Sequence, residues 1–134
     1  MANAEFSLPI RVYIEDTDAG GIVYYVNYLK YMERARTEFL RSLGFGKDFI
    51  FNRELMFVVR DVAVSYRAPA RLDDELQATA RVQELRGASM TLQQAVRRGA
   101  DTMAEGIVSI ACVDRNSMRP RRIPEEIRHC LDNT

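Results

Sequence analysis

A switch of hydrophobic period divides this chain and limits what it can fold into. Across residues 27–43 the apolar positions Tyr28, Met32, Ala35, Phe39 and Leu43 recur at helical spacing, while Arg34, Arg36, Glu38 and Arg41 lie mostly elsewhere on the wheel. Gly44 ends the predicted helix, and residues 46–53 read as a loop or short turn. Beyond that point the period falls to two, and residues 56–68, 75–85, 89–98 and 102–114 all alternate as strands do. Ahead of the helix, residues 7–15 also alternate, with Leu8, Ile10, Val12 and Ile14 on one face and Arg11, Tyr13 and Glu15 on the other. One long helix against about five strands predicts an α+β domain with an antiparallel sheet wrapped round a central helix.

The punctuation fits short connections: Pro69 with Leu72-Asp73-Asp74, then Arg86-Gly87, then Gly99-Ala100-Asp101, which suit an antiparallel meander. The predicted interior faces are Val58, Val62, Val64 and Tyr66, then Leu76, Ala78, Ala80 and Val82, then Met90, Leu92, Gln94 and Val96. In the last strand Ala104, Gly106 and Ala111 leave room for close packing, which the helix is expected to use. A basic connector from Met118 to Arg122 leads to a short final helix opened by Pro124 and running through Leu131. A single small sheet leaves edges to be covered, which predicts dimerisation through one of them.

Composition narrows the function classes. At 134 residues the chain suits one domain, 1–134, with a core that needs neither disulfide nor metal. Basic and acidic residues number 19 each, so no global field recruits nucleic acid or an anionic membrane. The start, Met-Ala-Asn-Ala-Glu-Phe, has no signal-like pattern, and no apolar run approaches ~20 residues, so a cytoplasmic protein without a membrane span is expected. Cys112 and Cys130 read as separate thiols of a reducing compartment. With His129 the only histidine, no metal constellation forms and no metal or other cofactor is expected.

Chemistry concentrates at the junction of first strand and helix, Asp16-Thr17-Asp18-Ala19-Gly20-Gly21-Ile22-Val23-Tyr24-Tyr25. The glycines permit positive φ and close approach of a ligand, and the helix that follows offers unpaired amide donors. A carboxylate in such a place also serves as an Asx turn or cap, so Asp18 must do more than that to be catalytic. Spacing argues against two other uses. An EF-hand loop starting at Asp16 has Gly20 at its fifth position and Asn27 where a bidentate Glu belongs. An Asp-x-Asp phosphotransfer site would follow a buried parallel strand, and the strand here alternates.

The same segment, continued through Asn27-Tyr28 to Glu33-Arg34-Ala35-Arg36 and joined by Tyr66-Arg67-Ala68-Pro69-Ala70-Arg71-Leu72-Asp73-Asp74-Glu75-Leu76, resembles the hotdog-fold acyl-CoA thioesterases of the 4-hydroxybenzoyl-CoA thioesterase type. Within them it is most similar to the bacterial YbgC group, linked with the Tol-Pal system, and the likeness runs from about Leu8 to Pro124. The resemblance implies a hotdog fold, dimers with sites at the subunit interface, and commonly tetramers. It makes Asp18 the catalytic carboxylate, nucleophile or general base, and the backbone N–H of Tyr25 the donor to the thioester carbonyl. A helix N-terminus supplies that stabilisation without side-chain rearrangement. Asp16 is read as organising the turn.

Many YbgC-like relatives carry His at the position of Tyr25, so the base in this chain should be a carboxylate. The resemblance places the pocket near Phe57, Val58 and Val59, reaching the partner subunit's site, and assigns phosphate contacts to Arg86, with Arg119 and Arg121 beside it. It implies an acyl-CoA thioesterase acting on short aliphatic or aromatic acyl groups, with acyl carrier protein as a second handle for the thioester. A noncatalytic acyl-thioester sensor or partner module is the runner-up. A hydratase, which would want Asp and His together, comes third.

Overall fold

The computed structural model describes residues 4–45 and 54–132. The predicted loop at 46–53 lies outside the described residues. Elements follow in the order β1 (Phe6–Arg11), a 3-10 turn (Ile14–Asp16), α1 (Val26–Leu40), a π-helical turn (Arg41–Phe45), β2 (Leu55–Tyr66), β3 (Glu75–Leu85), β4 (Ser89–Arg98), β5 (Asp101–Asp114) and α2 (Glu125–Asp132). The strands form one antiparallel sheet in the order β1-β3-β4-β5-β2.

The amphipathic stripe does what its spacing predicts. Tyr28, Tyr31, Met32, Ala35, Phe39 and Leu40 are buried on one side of α1, each large side chain contributing roughly 1.5–3 kcal/mol by leaving water. The helix lies over β3, β1 and β4. On β3 the inward residues Ala78 and Ala80 are fully buried and small, so it is this strand that accommodates the helix closely. The small residues of β5 serve another purpose: a Cβ at Gly106 would lie 2.5 Å from the Ala63 carbonyl oxygen, so the close approach there is to β2.

Several expectations are corrected. The first strand ends at Arg11 instead of running to Glu15, because the buried Asp16 carboxylate takes the Tyr13 N–H at 2.9 Å and curls the chain into the 3-10 turn. Ile14 therefore points outward, 76% exposed. Gly44 does not end the helix; it lies within the π-helical turn, where the Ser42 hydroxyl back-bonds to the Phe39 carbonyl at 2.6 Å and loosens the last winding. Only β3, β4 and β5 form a meander. β2 pairs with β5 at one edge and β1 with β3 at the other, because the connection from β2 to β3 crosses the N-terminal end of α1.

The interior faces of β3 and β4 are as predicted, all eight residues being buried. β2 departs from its predicted face, since a bulge between Val59 and Asp61 adds a residue at Arg60. Phe57 and Val59 thereby pair with the inward Cys112 and Ile110, while Val58 faces the outer side opposite Ala111. As an edge strand with no further strand beyond it among the described residues, β2 leaves Val62 and Tyr66 nearly half exposed.

Candidate active site

Two loops carrying the acidic motif and the Tyr66–Leu76 motif are knitted together at the N-terminal end of α1. The acidic segment folds as a small hairpin: Asp18 N–H donates to Ile22 O at 2.9 Å, Thr17 bridges Val23, and Tyr24 N–H donates to Asp16 O at 2.9 Å. Gly21 closes it at φ 78°, a conformation that favours glycine. The second loop docks on it through Val23 N–H to Ala70 O at 2.8 Å and Leu72 N–H to Gly21 O at 3.3 Å. Tyr28 pins both from the helix, its hydroxyl accepting the Ala70 N–H at 2.9 Å and donating to Ala68 O at 3.5 Å.

Asp16 and Asp18, two residues apart, have opposite environments. Asp16 is buried, one oxygen taking Tyr13 N–H and the other the Asn27 side-chain amide at 2.8 Å. It clamps the hairpin to the first turn of α1, which is the organising role read from the sequence. Beneath it the Tyr31 hydroxyl is fully buried and meets no partner at hydrogen-bond geometry among the described residues. Burial first, and then the neighbouring Asp16 carboxylate, push that phenol far up. Asp18 is exposed; its Oδ1 accepts the Gly20 N–H at 2.8 Å, and its other oxygen accepts nothing among the described residues. Asp18 thus makes an Asx turn and does not cap α1, whose N-cap is Tyr25.

At that cap the Tyr25 carbonyl accepts the Tyr28 N–H at 3.3 Å, while the Tyr25 N–H donates to no group among the described residues. Around it the rings of Tyr24, Tyr25, Tyr66 and Tyr28 touch in succession, with centroids 5.1, 5.8 and 5.7 Å apart. This aromatic rim, joining the helix start to the end of β2, was not read from the sequence; three tyrosines clustered at residues 24–28 were the available signal. Burial raises the Tyr66 and Tyr28 phenols above their ordinary value.

Starting at Val26, the residue after Tyr25, an apolar groove of about 200 Å³ lies along α1, walled by Val26, Leu29 and Met32 on the helix and by Val59, Val62 and Val108 on the sheet. Of the three pocket residues expected on β2, Val59 lines this groove and Phe57 packs on the core. Val58 is turned to the outer face by the bulge. Lys30, Glu33 and Arg36 complete the groove's lining. Arg36 was assigned to the polar side of the helix, yet it is partly buried and donates to the side chain of Gln94. The missed signal was Gln94 itself, an amide on an apolar strand face that must find partners.

Residues 12–131 match the Thioesterase-like superfamily. The chain is 42% identical to the acyl-CoA thioesterase YbgC of Haemophilus influenzae over 129 residues, covering 96% of this chain and 95% of that protein. It is 43% identical to the acyl-CoA thioester hydrolase YbgC of Escherichia coli O6:H1, covering 91% and 92%. The chain belongs to the thioesterase-like superfamily, in its YbgC group. A solved structure described as a probable thioesterase from Bartonella henselae superposes with a TM-score of 0.81 at 34% identity, covering 91% of this chain and 99% of that one. The fold of this YbgC-type thioesterase is accordingly the hotdog fold, its sheet wrapped on α1.

The predicted phosphate contacts sit elsewhere. Arg86 lies in the β3–β4 turn and Arg119 and Arg121 follow β5, at the end of the sheet opposite the acidic hairpin. The eleven residues of β3 put about 35 Å between the two ends. Arg86 is paired with Glu84, and Arg121 reaches Glu54 at 3.3 Å and Asp114 at 3.5 Å, whereas the Arg119 guanidinium has no partner among the described residues. One protomer therefore does not unite Asp18 with these arginines. His129 is also remote, on α2, which packs against the π-helical turn beyond the C-terminal end of α1.

Proposed function

We propose that the whole chain, acting as one domain, hydrolyses acyl-coenzyme A thioesters carrying short aliphatic or aromatic acyl groups. Asp18 is the catalytic carboxylate and the Tyr25 N–H the oxyanion donor. The observation that carries this reading is the pairing, on one hairpin–helix junction, of an unpaired carboxylate oxygen on Asp18 with an unpaired N–H at Tyr25. Hydrolysis needs those two groups: a carboxylate that either attacks the carbonyl or removes a proton from water, and a fixed donor for the oxygen that becomes negative. Collapse of the tetrahedral species expels coenzyme A as thiolate, which is then protonated; with water as the nucleophile this leaves the acid, and with Asp18 as the nucleophile it leaves a mixed anhydride on Asp18 that a water then cleaves to the acid and the free carboxylate. No histidine enters, as none lies near the hairpin.

A second copy completes the site in this proposal. Two β2 edges paired antiparallel about Arg60 would set the partner's Phe57–Val59 segment opposite residues 61–63, beside the groove wall at Val62, and carry the partner's basic end toward Tyr66 and the hairpin. This covers the exposed edge of β2 and supplies the phosphate contacts that one protomer holds too far away. The expected assembly is a homotetramer built of such dimers. A cytoplasmic site of action suits the two free cysteines, and no helix among the described residues is long and apolar enough to cross a membrane.

The test is release of free thiol from a panel of acyl-CoAs and acyl carrier protein thioesters by the purified protein, with mass by light scattering. Thiol release by an oligomer is expected. Binding across the panel without release would favour an acyl-thioester sensor, and a fully active monomer would remove the second copy from the site.

A further inference from the structure

The groove beside α1 ends on Arg36, a cation that no acid among the described residues pairs with. Its helical wall, from Val26 to Arg36, spans about 15 Å at 1.5 Å per residue, starting at the turn that presents the Tyr25 N–H. At the far end Arg36 Nη1 donates to Gln94 Oε1 at 3.0 Å. Gln94 is fully buried and its amide nitrogen is committed to the carbonyls of Met32 at 2.8 Å and Thr79 at 3.1 Å, so its oxygen is locked toward the guanidinium. Arg36 makes no ion pair among the described residues, whereas the more exposed Arg11, Arg67, Arg97 and Arg98 each pair with an acid. Glu33, one turn earlier and exposed, is the nearest acidic influence, but it forms no ion pair with Arg36. Lys30 adds a second positive charge to the lining and Glu33 one negative charge, leaving the groove cationic on balance.

A partly desolvated guanidinium with a single neutral partner is costly unless an anion joins it. Its planar donors suit a carboxylate, which can bond two of them at once. The groove between rim and cation is apolar and, at about 200 Å³, exceeds the ~150 Å³ that admits a benzene ring. We infer that Arg36 is a specificity-determining residue that receives a terminal carboxylate on the acyl group, so that the preferred substrates are coenzyme A half-thioesters of dicarboxylic acids. The inference rests on the thioesterase reading and names the substrate class of that same groove. With the thioester carbonyl at Tyr25, the acyl chain runs along the groove toward a guanidinium that reaches back from Arg36 to Gln94, whose amide is held on the Met32 carbonyl, about 10 Å along the helix from Tyr25. Glutaryl and adipyl groups have that reach, and a malonyl group does not.

The experiment compares kcat/KM for glutaryl- against pentanoyl-CoA and for adipyl- against hexanoyl-CoA, pairs matched in chain length and differing in the terminal carboxylate. Wild-type protein should favour the carboxylate member by about tenfold or more, the scale of one buried polar contact. Arg36→Met should bring the ratio within each pair to about one, and Arg36→Lys should keep part of the preference. Dissociation constants for the same pairs on Asp18→Asn read the discrimination without turnover. If no acyl-CoA is hydrolysed, the thioesterase reading fails, and these affinities still decide the role of Arg36. No preference in wild type, or a preference that survives Arg36→Met, overturns the inference; if Arg36→Met does not fold, the wild-type ratio decides alone. An Arg36 already paired with a carboxylate of a second copy would give the flat wild-type ratio.

Discussion

Replacing Gly106 with alanine tests whether β2 is held against β5 as tightly as the structure has it. The new Cβ would stand 2.5 Å from the Ala63 carbonyl oxygen, 2.9 Å from Val64 Cγ2 and 3.2 Å from Val64 Cα, where real Cβ atoms keep at least 3.0 Å. The Val64 methyl can turn away, but the Ala63 oxygen belongs to the backbone of a paired strand and moves only if β2 and β5 separate locally. Overpacking of this kind costs about 1–3 kcal/mol, which for a chain of this size lowers Tm by roughly 3–5 °C per kcal/mol. Calorimetric melting of Gly106→Ala should therefore show a loss of about 8 °C. Gly87→Ala serves as control, because its Cβ would meet only Arg122 Nη1 at 3.8 Å, and it should melt near wild type. Adding Val64→Ala removes the methyl clash and leaves the carbonyl clash, so the double variant should not recover. Because β2 also carries Val59 and Val62 of the groove wall, kcat/KM should fall with stability. A Gly106→Ala protein melting within about 2 °C of wild type would refute this account of the β2–β5 contact.

Other outcomes follow from the same geometry. Asp16→Ala strands the Tyr13 N–H and the Asn27 amide and should lose about 2–4 kcal/mol in denaturant unfolding, while Asp16→Asn loses less. Partial burial works to raise the Asp74 carboxyl, but the Arg71 N–H and the Arg98 guanidinium, each at 2.8 Å, outweigh it and hold it below its ordinary value. Its contribution to stability is thus present above the unfolded value of ~3.9 and lost as pH falls through the folded one; Asp74→Asn should flatten that acid limb in a pH series of melts. If the basic end of a second copy holds the nucleotide, Arg119→Ala should raise KM for acyl-CoA and leave acyl-pantetheine, which lacks the nucleotide, unchanged. Equal effects on both would exclude a phosphate contact.

Periodicity made most of the fold legible. The bounds of β3 and β4 and the buried stripe of α1 follow from residue spacing, because each of these elements has one face against the core. β2 was misread because an edge strand has no such constraint, and because the extra residue at Arg60 flips Phe57, Val58 and Val59 relative to everything downstream. The 3-10 turn was hidden since it depends on a buried carboxylate, Asp16, whose partners Tyr13 and Asn27 declare themselves only in three dimensions. The acids and glycines beside a helix start marked the turn of Asp18, whereas Tyr25 was legible only through the family resemblance, and the hairpin and the cap depend on bonds to Ile22 and Tyr28 that spacing does not show. That Arg86, Arg119 and Arg121 lie at the opposite end of the sheet was not legible, since it depends on strand order. Gln94 pointed to a buried partner, but only the packing of α1 identified it as Arg36.

Whether Asp18 does chemistry is read by kcat for Asp18→Asn on the best acyl-CoA, with melting temperature and oligomer mass measured on the same sample. Asn preserves the Asx turn to the Gly20 N–H and removes the charge needed to attack the thioester or deprotonate water. Asp18→Asn should fold, assemble and bind substrate as wild type does, with kcat lower by about a thousandfold or more. Asp18→Ala, assayed beside it, guards against activity regained by deamidation of the Asn. A folded Asp18→Asn turning over within a few-fold of wild type would remove Asp18 from the chemistry and leave it as a turn residue only.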